Sequence, residues 1–200
     1  MENVSVFLNY LRKFVNITDE EFEKYIHPAI KVRRFGKREF LLRAGEVENH
    51  FNFITKGLVR KYLKKNGAEV NTQISLEGQI ILSQQSFVSR EPSEYFVETI
   101  EPTVVVSIRY EKLEELYAHS KRMEHLGRLV VTHMMDISER WQMQMIKMTP
   151  RERFLAFVQK NPELMQRVPQ KHLASYLNIK PETFSRFKHL LRTQSKSIAA

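Results

Sequence analysis

The side chains best placed to do chemistry lie near the end of the chain, in "LASYLNIKPETFSRFKHLLR", Leu173 to Arg192. The stretch reads as two short helices broken at Asn178, one of the few non-glycine types that tolerates a left-handed backbone. Ala174 is small enough for two helices to cross over it. Leu173, Leu177, Ile179, Phe184 and Phe187 supply a shared apolar core. Pro181 suits the first position of the second helix, and Lys180 before it is kept extended. This is the spacing of a helix-turn-helix. The second helix then carries Glu182, Thr183, Arg186 and, further on, His189 on its outer face, with Ser185 counted among them. Arginine can fork onto guanine O6 and N7, and glutamate can accept from cytosine N4. Lys171, Lys180, Lys188 and Arg192 suit phosphates.

Charge agrees with a polyanion as partner. The formal net charge is +9, and residues 147–200 hold 11 Lys and Arg against 3 Asp and Glu. Nearly all the excess is therefore local, the footprint of a nucleic-acid binder. Cysteine is absent, which excludes disulfides, zinc–thiolate sites and thiolate-held iron–sulfur clusters. The histidines form no H-x-x-x-H pair, and only His50 lies in the strand-rich block. A metal enzyme of cupin type, which needs several histidines on strands, is thereby excluded. The expectation is a protein that is not an enzyme and uses no metal or cofactor. No apolar run is long enough to span a membrane, and no signal peptide is visible, so a cytoplasmic location is expected.

These residues need elements to position them. Val4, Phe7, Leu8 and Leu11 fall at helix spacing, and Thr18 with Glu21 forms a capping box before a helix that ends at Pro28. From about Ile30 to Ile108, short runs rich in Val, Ile, Phe and Tyr alternate with glycines, the pattern of a β-sandwich or barrel. Asn66-Gly67 marks a type I′ hairpin. A short helix follows at "YEKLEELYAH", then a long one from near Ser120 to Lys147. Its stripe of Met123, Leu126, Val130, Met134, Ile137 and Trp141, continued by Met145 and Met148, recurs at about 3.6 residues. A helix this long cannot bury its whole stripe on one small domain, so the stripe is assigned to a homodimer seam. Thr149, Pro150 and Glu152 open the next helix as N-cap, N1 and N3. Three segments are expected: a sensor domain over 1–119, a dimerisation helix over 120–148, and a DNA-binding domain over 149–200.

With "GKREFLLRAGE", "FITKGLVR", the long helix and "PETFSR" on the page, the chain resembles the CRP/FNR family of transcription regulators over nearly its whole length. "PETFSR" is similar to that family's recognition-helix signature Ser-Arg-Glu-Thr-Val-Gly-Arg, with Pro181 where its first Arg would stand. The resemblance implies an α+β chain. It would have an N-terminal double-stranded β-helix (jelly roll) of the cyclic-nucleotide-binding type, a coiled-coil dimer and a C-terminal winged helix-turn-helix. The implied partners are double-stranded DNA, a second copy and RNA polymerase in a bacterial cell. The wing is truncated, since only "TQSKSIAA" follows Arg192. The ligand pocket also departs. Leu82-Ser83 stands where the family's nucleotide binders carry Gly-Glu, and Ser93-Glu94 where they carry Arg-Ser. A carboxylate at Glu94 would repel a cyclic phosphate, so cAMP is not expected to bind. Ser83, Gln84, Arg90 and Glu94 remain candidates for contacts to an unknown small-molecule effector, and "SQQS" reads equally as a solvated loop. The rival reading is a cyclic-nucleotide-type regulatory module acting on a protein partner rather than on DNA.

Overall fold

The computed structural model describes residues 2–198, with side chains over 3–190. Helix α1, Glu2–Leu11, opens the chain. The Thr18/Glu21 capping box forms as the sequence predicts and starts α2, Asp19–Glu21. That helix widens to a π-turn over Phe22–Ile26 and closes with a 3₁₀ turn, His27–Ala29, at the proline.

Eight strands follow: β1 Ile30–Phe35, β2 Phe40–Leu42, β3 His50–Lys56, β4 Val59–Lys65, β5 Ala68–Ser75, β6 Ile80–Ile81, β7 Phe96–Thr99 and β8 Thr103–Arg109. They form two four-stranded sheets, β1-β8-β3-β6 and β2-β7-β4-β5. All pairings are antiparallel. Asn66 and Gly67 take φ of 52° and 78°, as a type I′ turn requires, and Lys65 pairs with Ala68 across them. Gly57 at φ 100° turns β3 into β4, where a Cβ would fall within 2.6 Å of the Pro102 carbonyl; no other residue fits.

Strand alternation divides the apolar side chains between faces. Ile54, Ile81 and Val105 of the first sheet meet Leu41, Leu42, Val59 and Val97 of the second in the sandwich interior. On the first sheet's other face, Phe53, Ile80, Val106 and Ile108 pack against helices. These helices are α1, α4 (Tyr110–His119) and the start of α5 (Lys121–Lys147). Between β6 and β7 lies α3, Gln84–Ser89, with Ser86 and Phe87 buried. The "SQQS" segment is thus the start of a helix rather than a solvated loop.

After α5 come α6 (Pro150–Lys160), α7 (Leu164–Arg167), α8 (Gln170–Tyr176) and α9 (Pro181–Ile198). Thr149 caps α6 in a second capping box with Glu152. This C-terminal group packs on the outer face of the second sheet, where Leu58, Ile74 and Ile100 join Phe154, Phe157, Leu173 and Phe184 in one core. Both outer faces of the sandwich are therefore covered. Because α9 continues to Ile198, residues 193–198 extend the helix in place of a hairpin.

The long helix corrects one expectation. The sequence assigns Met123, Leu126 and Val130 to a dimer seam, yet they are buried, at 1, 5 and 4 % exposure, in the core between the first sheet and its helices. Met134 packs at the edge of that core, and Trp141 stacks on Tyr176 of α8 at 4.1 Å and 5°. The first part of the stripe is thus taken up within its own chain, while Met134 and Trp141 are half-buried and Ile137 is exposed. The apolar residues left to solvent include Val131, Met135 and Ile146, which lie roughly a third of a turn away at 100° per residue.

Candidate functional site

The two C-terminal helices cross where the sequence places the small residue. Ala174 is completely buried, Asn178 takes φ 51°, and the Ile179 N–H donates to the Ala174 carbonyl at 2.9 Å. Phe154 meets Phe184 edge-on at 5.0 Å beneath the crossing. A further device was invisible to pattern reading. Arg153 is buried, and its Nε donates to the Leu177 carbonyl at 3.0 Å while Nη1 donates to that of Met148 at 2.6 Å. Nη1 also reaches the Met145 carbonyl and Nη2 that of Asn178, both at 3.3 Å. One guanidinium therefore ties the end of α5 to the turn between α8 and α9. An arginine in "PRERF" looks like any surface charge until its partners are known.

On α9, Glu182, Ser185, Arg186 and His189 are exposed, and Thr183 and Lys188 are half-buried. At 100° per residue the first four share one face and the other two flank it. Lys171 and Lys180 are exposed on the adjoining elements. Arg192 lies outside the described side chains. What the sequence assigned to base and phosphate contact is thus largely presented on one surface.

The opposite side of this head is fixed to the second sheet. Arg60, 6 % exposed, donates to Glu98 and Glu69 at 2.5 and 2.6 Å. Its Nη1 also meets Nδ1 of His172 at 3.1 Å. Since a guanidinium only donates, that nitrogen is the acceptor and the ring is neutral. Burial, then Arg60, push the His172 pKa down to about 4. Ser175 accepts from the Asn71 N–H at 2.9 Å and donates to the Glu69 carbonyl at 3.0 Å. Arg167 bridges Glu77 at 2.8 Å and Glu101 at 2.5 Å.

The region of the four ligand candidates differs from the sequence expectation. Of the four ligand candidates, only Ser83 faces inward, accepting from the Ser93 hydroxyl at 2.9 Å. Gln84 and Glu94 are exposed. Arg90 is committed to the carbonyls of Glu48 and Phe87 and to Asn49, with its guanidinium over Tyr110. The four do not converge on a ligand. Two residues that the sequence reading missed engage this region instead. Glu48, 1 % exposed, accepts from the N–H groups of His50 at 3.0 Å and Ser83 at 3.4 Å. Lys61 donates to the Leu82 carbonyl at 3.2 Å. Burial raises the Glu48 pKa to about 7 and lowers that of Lys61 to about 8. The carboxyl group buried beside Ser83 is thus Glu48, while Glu94 is exposed. Nothing short of the fold brings Glu48 to Ser83, 35 residues on. Among the described residues no group of His, Asp and Glu could hold a metal ion, and no helix is long and apolar enough to cross a membrane.

Residues 32–120 match the family described as Cyclic nucleotide-binding domain. No curated protein matches the sequence. Several solved structures share the fold. FixK2 from Bradyrhizobium japonicum is 19 % identical with a TM-score of 0.69, over 83 % of this chain and 86 % of its own. CLP of Xanthomonas campestris, a c-di-GMP responsive global regulator, is 15 % identical with a TM-score of 0.67, over 88 % and 93 %. The Thermus thermophilus catabolite activator protein is 14 % identical with a TM-score of 0.56, over 93 % and 88 %.

Proposed function

We propose that this protein, whose residues 32–120 match the cyclic nucleotide-binding domain family, is a DNA-binding transcription regulator of the CRP/FNR type that does not respond to cAMP. In this reading residues 1–119 are the sensor, 120–148 the dimerisation helix and 149–200 the reader. Two copies present two α9 helices to successive major grooves of a pseudo-palindromic operator, about 34 Å apart, and act on RNA polymerase from there. The observation that carries the reading is the exposed face of Glu182, Ser185, Arg186 and His189 on α9, in the part of the chain that holds the basic excess. The apolar residues Val131, Met135 and Ile146 on α5 support pairing. Glu48 and Lys61, which engage the segment where a nucleotide would bind, support indifference to cAMP.

A salt titration on a duplex selected from a random pool, beside an unselected duplex, tests this. Arg186→Ala is expected to cost about 1–3 kcal/mol per half-site and to relax preference at one base pair. Lys171→Ala is expected to weaken both duplexes alike and to lower the salt slope by about one per half-site. Wild-type protein that shows no salt-dependent binding to any duplex would send the reading to its rival, a regulatory module that docks on a protein partner.

A further inference from the structure

We propose that the protein also binds a small, mostly apolar molecule with a neutral or positively charged end, in a cavity between the first sheet's outer face and helices α1, α3, α4 and α5. The cavity holds about 460 Å³, within the range of ligand sites and equal to roughly fifteen waters at ~30 Å³ each. Its wall is apolar, with Phe7, Leu82, Phe87 and Leu126 among the lining residues. A cleft this size, lined by hydrocarbon and open to solvent on the side of Val88, Val131 and Met135, gives an apolar solute contacts that water cannot make.

The few polar groups define the other end. Glu114, exposed at the mouth, is the only charged residue among the described residues lining the cavity. Gln84, Glu114 and Tyr117 also line it, and no side-chain hydrogen bond joins them to the rest of the protein among the described residues. Burial raises the Tyr117 pKa to about 12, so its hydroxyl remains a donor. A carboxylate or phosphate on the ligand would face Glu114 and be repelled, whereas an alcohol, amide or ammonium would be received.

This is a different place from the polar sandwich interior. Phe51 and Ile108 line the cavity and share a face with the helix-packing Phe53 and Val106. Asn52 and Ser107, which bond to each other at 2.7 Å, alternate to the other side. A second protein helix is too wide to occupy it, since a helix with side chains is ~10–12 Å across and a sphere of this volume is about 10 Å. The inference goes beyond the DNA-reading proposal and its test contains no DNA; Val131 and Met135, which that proposal gives to pairing, also line the cavity, so the two readings meet on this face.

The full chain is titrated with the neutral fluorophore N-phenyl-1-naphthylamine, then challenged with decylamine and with decanoate. The expected result is a saturable rise in emission with one probe per chain, displaced at least tenfold more readily by decylamine. Glu114→Lys should reverse that preference. Leu116→Trp and Gln84→Trp, each checked for a wild-type circular dichroism spectrum and melt, should weaken the probe at least tenfold. Absence of a saturable rise in the wild type would overturn the proposal. So would equal displacement by the two competitors. Probe stoichiometry that falls as protein concentration rises would equally overturn it, by showing that a second copy covers the cavity.

Discussion

Arg153 shows how one side chain can organise a joint. Its donors reach carbonyls on both sides of Thr149, and one acceptor, the Leu177 carbonyl, belongs to a residue only 1 % exposed. Arg153→Met keeps the stem and removes the donors, so buried carbonyls lose their partners. A loss of about 2–4 kcal/mol in urea unfolding is expected. Glu48 makes a second case at this scale. Its folded pKa, about 7, lies above its ordinary 4.5, chiefly through burial. The folded state therefore holds a proton that the unfolded chain releases between those values, and Glu48's contribution is fully present below pH 4.5 and lost as pH rises through 7. Glu48→Gln is expected to gain stability relative to wild type across that window, read from melts at successive pH values. A constant difference would contradict the burial argument. None of this could be read locally: "RER" and "EVEN" carry no periodicity that marks one charge as internal.

At the scale of elements, caps and turns were legible because they depend on neighbouring residues. Thr18, Asn66-Gly67, Thr149 and Asn178 each act where the sequence predicts. The sequence places Met123, Leu126 and Val130 at a seam between copies because periodicity reveals that a stripe is buried and says nothing about what buries it. Met123, Leu126 and Val130 face the first sheet and its helices, and Trp141 faces α8. The short α3 and α7 escaped because helices of six and four residues show too little period to detect. The corrected face makes a contrast that sedimentation can measure. Met135→Asp should shift a dimer to monomer, while Ile137→Asp, exposed at 55 % but on the old stripe, should leave it intact. Leu126→Ala should instead destabilise the fold by about 2–4 kcal/mol through a core cavity.

For the whole molecule, the sandwich serves as a platform with a different cargo on each outer face. Helices α1, α4 and α5 cover one sheet and the C-terminal helices cover the other. Composition foretold both the β-rich block and a basic end, but not that the end would rest on the block. The contacts that hold it, Arg60 with His172 and Arg167 with Glu77 and Glu101, span 66 to 112 residues. Isothermal calorimetry with cAMP and cGMP is expected to give no micromolar isotherm, because Glu48 and Lys61 engage Ser83 and Leu82. A clear isotherm would mean that this pair yields to a nucleotide.

The chain has a single tryptophan, and it is Trp141, lying flat on Tyr176. The indole rides on the long helix and the phenol on the head, so all tryptophan emission from each chain comes from the junction between them. Any rotation of the head about α5 would slide one ring off the other and change the colour and lifetime of that light. The molecule thus contains its own optical gauge of the joint, readable in solution without a label.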